Sequence, residues 1–352
     1  MSNPNTNDTH PNMVRKQDHL RINLEEDVQF KGVTSGLDNY YFVHQALPEI
    51  NASEIDLGTT LLGKKINFPL IISPMVGGIK EAENINRNLA RAAQSMGIAM
   101  TVGSQRTAIE APDTASSYRI RDVAPSIPLF ANLGAYQLNY GYDITHCKQA
   151  VEMIDADALI LYLNPLQKAL QANGNTDFSH LLDKIGIICQ ELSVPVIVKE
   201  VGWGISEDVA RKLAAVGVAA IDVAGSGGTS WGEVEKYRAN NELMAKIAAS
   251  FSTWGIGTAE SIEMVKRGAA GVTIIASGGI RTGIDLAKVI ALGAQVGGIG
   301  APLLKRAATS AEAVEEYLTG IREALRISMF CIGAANLAQL HDSPHLKRRG
   351  LP

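Results

Sequence analysis

The stretch Leu159-Ile160-Leu161-Tyr162-Leu163-Asn164-Pro165-Leu166-Gln167-Lys168 begins as a continuous apolar run and ends abruptly in polar residues. An apolar run without polar alternation suits a parallel strand covered on both faces. Seven further runs of this kind follow or precede it from Phe68 onward: Leu70-Ser73, Ala99-Val102, Leu129-Asn132, Val196-Lys199, Ala220-Val223, Thr273-Ala276 and Gly297-Gly300. With Ala158-Tyr162 they make eight, each followed by a longer stretch. Eight strand and helix units in about 250 residues predict an α/β fold, a closed (β/α)8 TIM barrel. A doubly wound open sheet is the alternative.

The intervening stretches carry helix signals. Ser206 can cap a turn that starts with Glu207 and Asp208, carries Arg211 and Lys212 later, and stops at Gly217. Similar helices are expected over Asn86-Met96, Ser179-Leu192 and Ile284-Leu292. Residues 224–257 exceed an ordinary crossover and contain Gly227-Gly228-Thr229-Ser230-Trp231, so they are expected to form a lid or long active-site loop.

The chain has 352 residues, 46% of them hydrophobic and 19% charged, enough to bury a core of barrel size. A net charge of −4 provides no global attraction for nucleic acid or membrane, so any anion binding must be local. Cys147, Cys189 and Cys331 lie far apart without metal-ligand spacing, which implies reduced thiols and a cytoplasmic location. No apolar stretch reaches the ~18 residues of a spanning helix. The expected organisation is a disordered arm over 1–12, an N-terminal extension contributing to the substrate site over 13–66, the barrel over 67–341, and a solvated basic tail over 342–352.

In such a barrel the site lies at the carboxyl ends of the strands. There the sequence offers Pro74-Met75-Val76-Gly77-Gly78, Gly103-Ser104-Gln105-Arg106, Asn132, Lys199-Glu200, Ser277-Gly278-Gly279-Ile280-Arg281 and Gly300-Ala301. Glycines after the last two strands would let backbone N–H groups approach a phosphate, although they could merely turn the chain. Lys199 closes a Val/Ile run, where an ammonium requires an anion, a flavin, or a structural partner such as Glu200 or Asp222. Asn132 could face the site or cap the next turn. Arg15, Lys16 and His19 form a short basic cluster outside the barrel, and Arg106 offers a fork suited to phosphate. No histidine follows a strand, so a barrel-borne histidine base is missing. That disfavours the flavin oxidases of 2-hydroxy acids, which place a His and an Arg where this chain has Val223-Ala224-Gly225-Ser226-Gly227-Gly228.

Taken in order, Arg15-Lys16-x-Asp18-His19, Pro74-Met75-x-Gly77-Gly78, Gly103-Ser104-Gln105-Arg106, Asn132-Leu133-Gly134, Leu163-Asn164-x-x-Gln167, Lys199-Glu200, Gly227-Gly228-Thr229-Ser230-Trp231 and Ser277-Gly278-Gly279-Ile280-Arg281 resemble type 2 isopentenyl-diphosphate isomerase over nearly the whole chain. The resemblance implies an FMN-dependent barrel that interconverts isopentenyl and dimethylallyl diphosphate. It implies flavin kept reduced by NADPH, Mg2+ on the diphosphate, and a homo-oligomer, tetramer or octamer. Arg15, Lys16, Ser104, Gln105 and Arg106 would hold the diphosphate with His19 nearby, and Asn164 and Gln167 would lie beside the alkene. Pro74, Met75, Val76, Ser104, Asn132, Lys199, Thr229, Gly278, Gly279, Arg281, Gly300 and Ala301 would contact the flavin.

Two departures stand in the fourth strand. The family's motif has a His where this chain has Tyr162, and a metal-ligating Glu where it has Lys168. A protonated lysine cannot ligate Mg2+, so no residue is assigned to a metal, and Lys168 is expected to bind the diphosphate directly. Smaller departures are Val76, Ala224, Gly300 and the run Ala172-Asn173-Gly174-Asn175. The expected function is an isomerase with altered magnesium dependence in which Tyr162, Asn164 and Gln167 serve the reaction. An FMN-binding paralogue acting on another phosphorylated or prenyl substrate, and a catalytically silent flavoprotein, are the alternatives.

Overall fold

The computed structural model describes residues 11–350. Eight parallel strands close into a barrel in chain order, the eighth pairing with the first through Gly297 opposite Leu70 and Ile299 opposite Ile72. The strands are Leu70–Ile72, Ala99–Thr101, Leu129–Gly134, Ala158–Tyr162, Val196–Lys199, Ala220–Asp222, Thr273–Ser277 and Val296–Ile299. Each coincides with a predicted run to within two residues, so the TIM barrel holds and the open sheet falls away.

The apolar runs are continuous because both faces are buried, yet the two faces do different work. Outward residues such as Leu159, Leu161, Val196 and Val198 meet the helices. Inward residues form layers. The lower layer is apolar, with Ile71, Phe130, Ile160, Ile197, Ile275 and Val296, and an antiparallel hairpin of Thr59–Leu61 and Lys64–Ile66 seals it by inserting Leu61 and Ile66. The hairpin belongs to the extension expected to contribute to the substrate site, 13–66, yet it plugs the amino end of the barrel, far from the strand ends that carry the polar residues.

Four expectations require correction. Pro11 and Asn12, assigned to the arm, already belong to a helix, Pro11–Glu25; residues 1–10 lie outside the described residues. Residues 224–257 are not one long loop: they contain the helices Trp231–Tyr237 and Glu242–Ser250, begun by the side-chain caps Ser230 and Asn241. The tail is not free, because Leu346–Arg348 pairs antiparallel with Tyr40–Phe42 and the Arg348 guanidinium lies over the Tyr40 ring. The helix expected from Asn86 starts earlier, at Lys80, and runs to Met96.

The helix Pro11–Glu25 lies over the carboxyl end of the barrel. Its Ile22 packs with Val28, Val234 and Trp231, and Asp18 pairs with Arg238 at 3.4 Å. Among the described residues no helix is long and apolar enough to cross a membrane, and the three cysteines are free thiols.

Truncation of the plug, Leu61→Ala, is expected to cost about 2–5 kcal/mol of stability by leaving a cavity in a packed layer. Urea denaturation measures the loss, and flavin affinity measured alongside it should be unchanged because the plug is at the opposite end from the site.

Candidate functional site

The register that closes the barrel also assembles the site. Gly134 pairs with Tyr162, Tyr162 with Lys199, and Lys199 with Asp222, so the ends of four consecutive strands stand at one level. Above the apolar layer the inward positions turn polar: Ser73, Thr101, Asn132, Tyr162, Lys199, Asp222 and Ser277. The Lys199 ammonium is 3.0 Å from Asp222 Oδ2 and donates to Ser277 Oγ at 2.9 Å. Ser277 in turn donates to Asp222 Oδ1 at 2.6 Å. The carboxylate foreseen as a structural partner is thus Asp222. Glu200 turns away and accepts the N–H groups of Val201, Gly202 and Trp203. An ammonium has three donors, and Lys199 keeps its third toward the cavity it lines.

That cavity, about 530 Å³, opens at the carboxyl ends of the strands beneath the N-terminal helix. Every proposed flavin contact lines it, from Pro74, Met75 and Val76 through Ser104, Asn132, Lys199 and Thr229 to Gly278, Gly279, Arg281, Gly300 and Ala301. At one end the loops after the sixth and seventh strands meet backbone to backbone. Gly278 has φ +103°, and a Cβ there would sit 2.1 Å from the Gly225 carbonyl oxygen, so both the conformation and the contact require glycine. The helix Ala301–Thr309 starts at the wall of the same cavity, which Gly300, Ala301 and Pro302 line. Buried Ser73 Oγ and Asn132 Oδ1, both on the cavity wall, have no partner among the described residues. A glycine cup, a lysine and unsatisfied polar groups above an apolar floor fit a flavin mononucleotide.

The other end of the cavity is cationic. Arg15, Lys16, His19, Ser104, Arg106, Asn164, Gln167 and Lys168 all line it. Asn164 Nδ2 donates to Gln167 Oε1 at 2.8 Å, and Gln167 Nε2 donates to Glu235 Oε1 at 3.0 Å. Buried Glu235 also accepts from Gln171 at 2.7 Å and from Arg238 at 2.8 Å, and His19 Nε2 lies 3.3 Å away. Burial pushes the Glu235 carboxyl up, and the donors around it more than reverse this, bringing it down to about 2. Burial holds the His19 imidazole below its ordinary value against the pull of Glu235, with Arg238 and Arg15 adding to the effect.

Lys168 is almost fully buried. Its ammonium donates to Gln171 Oε1 at 3.1 Å and lies 4.3 Å from the centre of the Tyr136 ring, with no carboxylate in contact among the described residues. Burial lowers its pKa; Tyr136 opposes this, and Arg15 and Arg106 reinforce it. Tyr162, also at the wall, lies 3.4 Å through its hydroxyl from Ser104 Oγ, and burial raises its phenol well above the usual range.

Two substrate candidates change role. Gln105 is fully buried away from the cavity: its Nε2 donates to the Ala150 carbonyl at 2.7 Å and its Oε1 accepts the Asn132 N–H at 2.9 Å. It braces two strands, because Ser104 and Arg106 take the cavity-facing directions on either side of it. Lys16 does reach the cavity, but its three donors are used by the carbonyls of Gly77 and Ser104, both at 2.7 Å, and by the Tyr118 hydroxyl. It ties the N-terminal helix to the barrel. Burial first and Arg15 second bring its ammonium down to about 7.

Glu235 and Tyr136 were missed. Glu235 stands four residues after Trp231 and three before Arg238, a spacing that places all three on one helix face, but their target was invisible from the chain. Tyr136 follows the third strand's Asn132-Leu133-Gly134 by two residues, where no local pattern marks a ring that turns toward the cavity.

A magnesium ion does not fit this donor set. Lys168 occupies the fourth-strand position, Glu235 is already committed to several donors, and among the described residues the cavity's acidic lining is the single side chain Glu26, whereas Mg2+ requires an octahedron of oxygens.

A family model described as FMN-dependent dehydrogenase matches residues 12–125 and 137–348. A Nostoc protein named isopentenyl-diphosphate delta-isomerase is 49% identical, over 99% of this chain and 99% of its own length. A Synechocystis protein of the same name is 51% identical over 94% of this chain and 95% of its length. The chain belongs to the FMN-dependent dehydrogenase family, among the type 2 isopentenyl-diphosphate delta-isomerases. Like them it is an enzyme. A solved (S)-mandelate dehydrogenase chimera shares the fold at TM-score 0.65 and 18% identity, covering 96% of each chain. A flavocytochrome b2 variant does so at TM-score 0.66 and 16% identity, covering 95% of this chain and 84% of that one. At that identity the likeness is one of fold, and the isomerase relatives are the specific match.

Glu235→Gln is expected to reduce stability at neutral pH by on the order of 3 kcal/mol, from the fall of its pKa from 4.5 to about 2 on folding. A depressed carboxyl contributes stability above its unfolded value that is lost as pH falls through the folded one. The gap between variant and parent in urea denaturation should therefore be full above pH 4.5 and close as pH falls toward 2.

Proposed function

We propose that the protein interconverts isopentenyl and dimethylallyl diphosphate, with the diphosphate held by protein cations instead of a protein-ligated magnesium ion. The observation that carries this reading is the Lys168 ammonium, buried in the wall of a cavity that also presents Arg15 and Arg106, with the neighbouring carboxylate Glu235 fully engaged elsewhere. Fixed positive charge at that wall can neutralise phosphate oxygens as a metal would.

Bound FMN, kept reduced by NADPH, supplies proton-transfer chemistry at its ring without net oxidation of the substrate. The chain's own residues orient and enclose. The glycine cup and the start of the helix Ala301–Thr309 would hold the flavin phosphate. Lys199, held by Asp222 and Ser277, would donate to the flavin, and Pro74, Met75 and Val76 would contact it. Arg15, Ser104, Arg106 and Lys168 would take the diphosphate, and His19 completes that wall. Asn164 and Gln167, locked to each other and to Glu235, present fixed amide groups to the alkene. Tyr162 supplies a neutral phenol where the resemblance calls for an imidazole, so its hydroxyl can orient substrate but gives up a proton reluctantly.

The same reading places the enzyme in the cytoplasm as a homo-oligomer. Exposed Tyr237, Leu243, Ile247 and Trp254, on and just after the helices Trp231–Tyr237 and Glu242–Ser250, support assembly. A second reading, a flavin enzyme acting on a different prenyl or phosphorylated substrate, draws on the buried Tyr162 ring, which alters shape and proton affinity beside the reacting position.

One assay separates them. Anaerobic incubation with FMN, NADPH and isopentenyl diphosphate is expected to yield dimethylallyl diphosphate at equal rates with EDTA and with Mg2+. Tyr162→His with Lys168→Glu is expected to make the reaction depend on Mg2+. Absence of product under both conditions removes the isomerase reading, and strict magnesium dependence of the unaltered protein removes the cation reading.

A further inference from the structure

Tyr136 has surroundings that a structural tyrosine does not need. It lies in the short helix Ala135–Asn139 after the third strand, buried, yet forms part of the cavity wall. Its ring is fixed on several sides: Tyr162 and Tyr140 meet it edge-on at 6.4 and 6.3 Å between centroids, and Phe178 lies tilted at 6.2 Å. The Lys168 ammonium covers one face. Its hydroxyl accepts from Arg106 Nη1 at 3.4 Å and, among the described residues, donates to no acceptor. Two cations thus converge on one phenol, one on the ring face and one on the oxygen, while its proton has no partner.

These contacts have a chemical consequence. A hydroxyl whose oxygen faces a guanidinium and whose ring faces an ammonium is polarised, and its proton becomes a stronger donor. Burial pushes the phenol up, but Lys168, Arg106 and Arg15 outweigh it and hold Tyr136 below the ordinary tyrosine value. The polar partner of Lys168 is a neutral amide, Gln171, so its charge meets no carboxylate among the described residues, while Arg106 pairs with Glu110 through Nε at 2.6 Å and turns Nη1 toward the phenol. An anion that entered between Lys168 and Arg106 would be met by both charges and by the Tyr136 proton.

We infer that Tyr136 is a further substrate-binding residue, its hydroxyl donating to a phosphate oxygen held between the Lys168 ammonium and the Arg106 guanidinium. The inference rests on the diphosphate reading of the cavity and gives the departure at Lys168 a partner: the ammonium and the phenol act as one unit, the ring shaping the ammonium's position and the hydroxyl adding a directed donor. A rigid ring keeps the entropy cost of that donor small, because it is already oriented.

The test uses the FMN-loaded enzyme and inorganic pyrophosphate, titrated by calorimetry. Tyr136→Phe retains the ring, its packing and the cation over its face, and removes only the hydroxyl. It is expected to weaken pyrophosphate by roughly tenfold or more, as loss of a hydrogen bond to a charged group does. The flavin spectrum should be unchanged, and in turnover KM for isopentenyl diphosphate should rise with kcat retained. Unaltered pyrophosphate affinity in Tyr136→Phe overturns the inference and leaves the isomerase reading standing. An unaltered enzyme that binds pyrophosphate, loses affinity on Tyr136→Phe and yet makes no product supports the inference and removes the isomerase reading. Failure of the unaltered holoenzyme to bind pyrophosphate overturns both. As a measurement that keeps the hydroxyl, 3-fluorotyrosine placed at position 136 gives a 19F resonance expected to move on pyrophosphate addition; a resonance that stays still overturns the assignment.

Discussion

The pairing of the eight barrel strands decides which way each side chain points, and the chemistry depends on that register. Lys199 stands opposite Asp222, and Tyr162 opposite Lys199, only because the strands meet as they do. A slip of one residue in any of them would turn Lys199 or Asp222 out among the helices, where Val198 and Ile221 now pack, and would bury an unpaired charge in hydrocarbon. The same alternation places Ile160 and Ile197 below and Tyr162 and Lys199 above. One sheet thus makes an apolar floor and a polar ceiling from a single periodicity of two. The Leu61 hairpin closes the floor, leaving the carboxyl end as the open one.

On that platform the protein manages an excess of positive charge. Arg15, Arg106 and Lys168 share a cavity, with Lys16 beside them, and the surrounding burial makes each ammonium costly. Three devices offset the cost: carbonyl and phenol acceptors around Lys16, the electron-rich face of Tyr136 under Lys168, and Glu110 paired with Arg106 at 2.6 Å. Glu235 serves a different purpose. It gathers Gln167, Gln171 and Arg238 behind the wall, so the amides lining the cavity are positioned by a charge that does not itself line it. The 2-hydroxy-acid enzymes that share this barrel show that the scaffold does not dictate the reaction; the residues at the strand ends do.

Most of the barrel was legible from the chain because burial on both faces writes an apolar run that needs no partner to be recognised. The cup glycines and the lining residues were legible for a related reason: in a closed barrel, position along a strand is also position in the site. Where this correspondence lapses, the reading lapsed too. Gln105 sits between two cavity residues, and only the direction of its side chain, toward Ala150 and Asn132, shows that it braces the wall. Lys16 is near the site as expected, yet its donors are used in holding the N-terminal helix. The stretch after Ala224 looked like a loop because its glycines come first, although Ser230 and Asn241 cap helices within it. Leu346–Arg348 looked solvated because its charges dominate its composition, and its strand partner Tyr40–Phe42 is some 300 residues away.

What the sequence determined alone was what local pattern can encode: strand count, most of the helices, the glycines at the strand ends, and Lys168 at the end of the fourth strand. What only the tertiary structure decided was every relation between distant groups. The Glu235 hub joins a helix after the sixth strand to amides after the fourth, and the Tyr136 ring reaches Lys168 from the loop after the third. Such contacts depend on the direction of side chains across a closed sheet, and that direction is fixed by register and packing rather than by spacing along the chain.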